Sequence, residues 1–100
     1  MRKIKAVRAY LGKPYYIREI NGVGVIFRKF SSGYEFEISG FYGEKGFSLS
    51  IWQRSPNNEL LNIYTGIDSR LELKDLLGHC AFSLENLREK IQVEREDLKL

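Results

Sequence analysis

The stretch "PYYIREINGVGVIFRKF", residues 14–30, decides how the chain folds. Two runs of β-branched and aromatic residues flank Asn21-Gly22, and an Asn-Gly pair readily takes the positive φ angles of a two-residue type I′ turn. Closing that turn pairs Ile20 with Val23, Arg18 with Val25, Ile17 with Ile26 and Tyr16 with Phe27. Directly downstream, "SSG" closes a second hairpin into "YEFEISGFY", where Tyr34, Phe36 and Ile38 alternate with Glu35 and Glu37. A three-residue loop there sets Lys29 opposite Glu35, a favourable cross-strand pair.

The alternation continues. In "FSLSIWQRS", residues 47–55, Phe47, Leu49 and Ile51 fall on one face, and Trp52 and Arg54 on the other. "SPNNE" turns into "LLNIYTGI", which the alternation reads with Leu61, Ile63 and Ile67 on one face and Asn62 and Tyr64 on the other. The N-terminal "KIKAVRAYL" fits a strand or a short helix. Beyond Asp68 the period changes from 2 to 3.6. Ser69 and Glu72 fit a capping box, and Leu73, Leu76, Leu77, Cys80, Leu84, Leu87 and Ile91 form one stripe. Gly78 inside that stripe, and Ser83 as an N-cap after Phe82, favour two short helices, roughly 70–78 and 84–93, over one long helix.

The expected fold class is therefore α+β. An antiparallel β-meander of four to six strands spans residues 14–67, with its curvature, up to a half-barrel, left open. A C-terminal helix or broken helix pair over residues 69–93 packs on one sheet face. The 100 residues are the size of a single domain.

Composition narrows the function classes. No run reaches the roughly 18 apolar residues of a membrane helix, so no membrane partner is expected. The start is basic but lacks the apolar core of a secretory signal. Cys80 is the only cysteine, which excludes an internal disulfide and favours the cytoplasm. Net charge is +3, unevenly spread. Residues 1–33 hold Arg2, Lys3, Lys5, Arg8, Lys13, Arg18, Arg28 and Lys29 against Glu19 alone, a local +7. Such a basic third suits an anionic partner, or serves as a solvated edge that aids solubility.

Catalytic chemistry finds little footing. One histidine and one cysteine, adjacent in sequence, cannot supply the roughly four ligands of a zinc site, and as neighbours on a helix their side chains diverge. Cys80 falls on the leucine stripe and reads as core, while His79 reads as a surface residue. The glycine-containing segments fit neither a P-loop nor a dinucleotide fingerprint. Glu35 and Glu37 share a strand face, but nothing beside them marks a substrate. The expectation is a non-enzymatic protein with no cofactor, no metal and no catalytic residue.

Residues 73–91, "LKDLLGHCAFSLENLREKI", resemble a helix-turn-helix in general form. His79 and Lys74 depart from that pattern, and Glu85 and Glu89 would repel phosphates, so core packing is the preferred reading of this segment. The order of strands first and helix last is similar in architecture to one class of small single-strand-binding proteins; no residue is carried over on that likeness.

The aromatic and basic residues on the uncovered sheet face remain. Trp52, Arg54 and Tyr64 are expected to form one exposed patch, extended by Tyr16, Arg18, Phe27 and Lys29 from the first hairpin. Rings stack on bases and cations track phosphates, so this face suits single-stranded nucleic acid. The alternative is a protein partner, because Trp, Tyr and Arg also dominate protein interfaces. The chain would then be an adaptor or inhibitor of a larger, nucleoprotein enzyme. A homodimer through the open sheet face belongs to the same alternative.

Overall fold

The computed structural model describes the backbone of residues 3–97 and the side chains of residues 3–84. A helix, α1 (Ile4–Leu11), precedes five strands: β1 (Tyr16–Ile20), β2 (Val23–Lys29), β3 (Tyr34–Ser39), β4 (Phe47–Gln53) and β5 (Glu59–Ile67). They form one open antiparallel meander in the order β1-β2-β3-β4-β5, followed by the helix α2 (Arg70–Asp97). The chain divides into two compact units, Met1–Arg70 and Leu71–Leu100.

The first hairpin closes as the Asn-Gly turn dictates. Asn21 and Gly22 have φ of 53° and 79°, as a type I′ turn requires. The register is Ile20↔Val23, Arg18↔Val25, Ile17↔Ile26 and Tyr16↔Phe27. The second turn closes through the Gly33 N–H, which donates to the Phe30 carbonyl at 3.1 Å, and Lys29 lies opposite Glu35.

Direct pairing puts side chains on a common face. Ile26, Ile38 and Leu49 form one row and Phe36 and Ile51 the next, all buried. On the opposite face one row is Tyr16, Phe27, Glu37, Ser50 and Ile63, and the next is Lys29, Glu35, Trp52 and Leu60. The ambiguous N-terminus is helical: α1 buries Val7 and Leu11, one turn apart, and lies against β1 and β2. Gly12 ends it, its N–H donating to the Arg8 carbonyl at 2.9 Å.

Two expectations are corrected. Register shifts between Phe47 and Leu49, and between Ile51 and Trp52, interrupt the β4–β5 ladder. Each extra residue reverses the alternation. Ile67 therefore pairs with Phe47 in the buried rows, while Ile63 pairs with Ser50 on the opposite face. The second correction concerns the C-terminal segment. It forms one helix through Gly78 and Ser83 instead of two. Leu73, Leu77, Cys80 and Ala81 are all buried, a 3.6-period row that only an unbroken helix keeps on one side. Continuing the helix keeps Cys80 and Ala81, beyond the glycine, in the buried row, which offsets the roughly 1 kcal/mol that a helical glycine costs. Phe82 stays exposed at 62 %, off that row. Leu76 and Leu84 are half-buried, and the side chains of Leu87 and Ile91 lie outside the described residues.

Gly78 is exposed, and a Cβ built on it meets nothing within 4 Å. Gly78→Ala is therefore expected to stabilise α2 by about 0.5–1 kcal/mol, through backbone entropy alone. A rise in helical melting temperature checks this; a fall would mean that the glycine serves close packing.

Candidate functional site

The face carrying Lys29, Glu35 and Trp52 holds a pocket of about 530 Å³. Arg18, Ile20, Phe27, Lys29, Phe30, Gly33, Tyr34, Glu35 and Arg54 line it. Three adjacent strands supply these residues, together with the β2–β3 turn and the residue after β4. That turn is fixed to β4: the Arg54 N–H donates to the Gly33 carbonyl at 2.8 Å. The anchor places the Arg54 side chain beside β3.

Arg54 is the hub of the site. Its Nε and Nη2 donate to Glu35 Oε1 at 3.3 and 3.2 Å, and Nη1 donates to Asn58 Oδ1 at 2.6 Å. Nη2 also lies 3.8 Å from Glu37 Oε1, and the guanidinium sits 4.1 Å from the centre of the Trp52 ring. Glu35 is the one charged side chain buried among the described residues, at 5 % exposure. A carboxylate so shielded needs a partner, and Arg54 supplies it. Both bonds fall on Oε1; Oε2 receives no donor among the described residues.

The remaining cations are uncommitted. Neither Arg18 nor Lys29 has a carboxylate partner among the described residues, although Lys29 lies opposite Glu35 in register. The Arg18 guanidinium sits 5.5 Å from the Phe27 ring centre, and Tyr16 stacks on that ring at 6.2 Å. Phe30 is fixed by the Arg28 guanidinium 4.4 Å over its ring and by an edge contact to Phe36 at 4.8 Å. Tyr34 closes the other side of the turn, its carbonyl accepting from the Phe30 N–H at 2.9 Å.

The structure thus brings Tyr16, Arg18, Phe27, Lys29, Trp52 and Arg54 to one sheet face, but not Tyr64. Tyr64 pairs with Leu49 and Asn62 with Ile51, on the buried-row face. The shift at Ile51/Trp52 is the cause, since Trp52 then faces Leu60. Nor are Trp52 and Arg54 fully exposed: both are half-buried, Arg54 covers one side of the indole, and Phe27 is buried at 1 %. Trp52 Nε1 is buried with no acceptor among the described residues. Buried indole N–H groups ordinarily find partners, but no hydrogen bond among the described residues fixes this one.

Sequence reading missed Tyr34, Phe30, Gly33, Ile20 and Glu35 as pocket residues. Tyr34 and Phe30 have the parity of the buried row, where the Phe30 ring meets Phe36 and Arg28, and they border the pocket as part of the turn. Alternation places Glu35 on the correct face without marking it as buried; its position opposite Trp52 depends on the β3–β4 register. No group of three or more His, Cys, Asp or Glu able to hold a metal ion occurs among the described residues. Among them, too, no helix is long and apolar enough to cross a membrane.

Comparison of the chain with protein-family models, with curated proteins and with solved structures gives no match. The functional reading therefore rests on the geometry of this pocket.

Proposed function

We propose that the chain is a non-enzymatic module that binds single-stranded nucleic acid in the pocket on the polar sheet face. The observation carrying this reading is the pairing of uncommitted cations with aromatic walls. Arg18 and Lys29 have no carboxylate partners and line the same pocket as Phe27, whose ring stacks with that of Tyr16 on this face. Cations of this kind take phosphates, and an aromatic wall takes a base at about 1–3 kcal/mol per stacked ring. The volume falls within the range of roughly 300–1,000 Å³ typical of ligand pockets, enough for one nucleotide at a time. The +7 charge of residues 1–33 supports the approach of a polyanion. A single cysteine, Cys80, buried and in no disulfide, suits a reducing compartment such as the cytoplasm.

Titration with fluorescently labelled oligothymidine over a range of salt tests the proposal. Affinity is expected to fall steeply with salt, and Arg18→Ala and Lys29→Ala should each reduce the log–log slope by about 0.7, one phosphate contact on a single strand. Trp52, the only tryptophan, lies beneath Arg54 and should report binding by a change in emission. An unchanged slope in both variants would overturn the assignment of those two residues.

A protein partner is favoured by a different observation. Leu60, Leu61 and Ile63 on the edge strand β5 are 40, 42 and 49 % exposed, and Leu60 pairs with Trp52. An apolar edge beside Trp52 and Arg54 suits an adaptor or inhibitor of a larger enzyme, or a second copy of the chain. Binding of that kind would respond little to salt.

A further inference from the structure

We infer that Asn62 closes the β5 edge of the sheet to strand addition, so that copies of the chain do not join through it. The inference is independent of what the pocket holds. β5 ends the meander and has one neighbour in the sheet, β4. Residues 60–67 include no charged residue and no proline, and Leu60, Leu61 and Ile63 are exposed. An uncharged edge rich in β-forming side chains is a template for a further strand, and the same stretch of a second copy can supply it.

The main chain decides whether that template is open. Successive residues of a strand turn their N–H and C=O groups to opposite sides. The Arg54 N–H reaches the Gly33 carbonyl, on the β3 side, at 2.8 Å. The β3–β4 register is unbroken over residues 48–53, so Ile51 and Leu49 turn theirs the other way, toward β5. Their partners Asn62 and Tyr64 answer from β5, and Ile63 between them turns its N–H to the open side. The two register shifts lie on either side of residues 62–64. Within that regular stretch, Ile63 is the residue that faces outward.

This outward N–H is already taken. It donates to Asn62 Oδ1 at 2.9 Å, so the neighbouring amide stands where the carbonyl of an added strand would bind. A second copy must displace that amide, and must give up translational freedom to do so, whereas the chain itself holds Asn62 beside the donor. The shifts on both sides also bend the edge away from a straight neighbour. A partner drawn to Leu60 and Ile63, which lie on the pocket face, is then met by side chains and not by the main chain of β5.

Asn62→Val tests this, because valine suits a strand but offers no acceptor. In sedimentation across a concentration series, this variant is expected to reach about twice the mass of the unaltered protein or more. Asn62→Asp, which keeps an acceptor in the same place, should match the unaltered protein. Adding Ile63→Lys to Asn62→Val should restore the original mass, because an ammonium in the middle of the edge opposes pairing. That rescue separates association through β5 from a general loss of packing. Folded Asn62→Val at the unaltered mass would overturn the inference, as would association that Ile63→Lys fails to reverse. Should Asn62→Val not fold, Asn62→Ala is read in the same way. A fall in mass on introducing Ile63→Lys alone would show that copies already join through β5, and would overturn it too.

Discussion

Gly40→Ala is expected to destabilise the sheet unit by about 3 kcal/mol or more, the sum of backbone strain and a clash that nothing nearby relieves. Gly40 follows β3 with φ of 108°, a conformation that a side chain strongly disfavours. A Cβ there would lie 2.5 Å from the Gly46 carbonyl oxygen and 2.9 Å from the Phe47 Cα. Both obstacles are backbone, so no rotamer change clears them. Phe47 in turn packs on Phe41 with ring centres 5.6 Å apart, which ties the loop to the buried rows. Gly43→Ala is the control: φ is also positive, at 91°, but the Cβ meets nothing within 4 Å. Chemical denaturation should show Gly40→Ala losing at least about 1 kcal/mol more than Gly43→Ala, the lower end of an overpacking cost. Equal losses would mean that the two backbones separate freely.

What could be read from sequence divides along a physical line. The Asn21-Gly22 turn fixes its register locally, because a two-residue loop leaves the flanking strands no freedom to slip. The same holds at Ser31-Ser32-Gly33, and the pairing of Lys29 with Glu35 follows from it. The β4–β5 link is longer, and its ladder carries two register shifts. An extra strand residue leaves no clear mark in a hydrophobic pattern, yet it reverses every side chain beyond it. That is why Trp52 was placed on the correct face and Tyr64 was not. Helix continuity failed to show for a related reason. A glycine and a good N-cap are local signals worth about 1 kcal/mol each, and they give no sign that Cys80 and Ala81, beyond the glycine, are buried in the same helical row as Leu73 and Leu77. The pocket itself depends on how the β2–β3 turn meets the residue after β4, a contact between segments about 20 residues apart that no periodicity reports.

Arg54→Ala is expected to cost about 1–3 kcal/mol, because it strands the shielded Glu35 carboxylate. The side-chain exposures are 32 % for Arg54 and 6 % for Glu35, so the pair is only partly withdrawn from water. The loss should therefore stay below the roughly 3–5 kcal/mol of breaking a wholly buried pair. Adding Glu35→Gln to Arg54→Ala should recover most of the stability, since the cost lies in the orphaned charge more than in the lost contact. Glu37→Gln should change stability by less than about 0.5 kcal/mol, because that carboxylate is more exposed and stands 3.8 Å away. A double-mutant cycle read by urea denaturation separates these terms. Equal stability of Arg54→Ala and the double variant would place the cost elsewhere, in the packing of the guanidinium on Trp52. Emission from that single tryptophan decides between the two, because removing Arg54 uncovers the ring in both variants, whereas only the double variant also removes the carboxylate charge. Recovery of stability without recovery of the original emission is the outcome expected if Arg54 acts on Glu35 by charge and on Trp52 by contact.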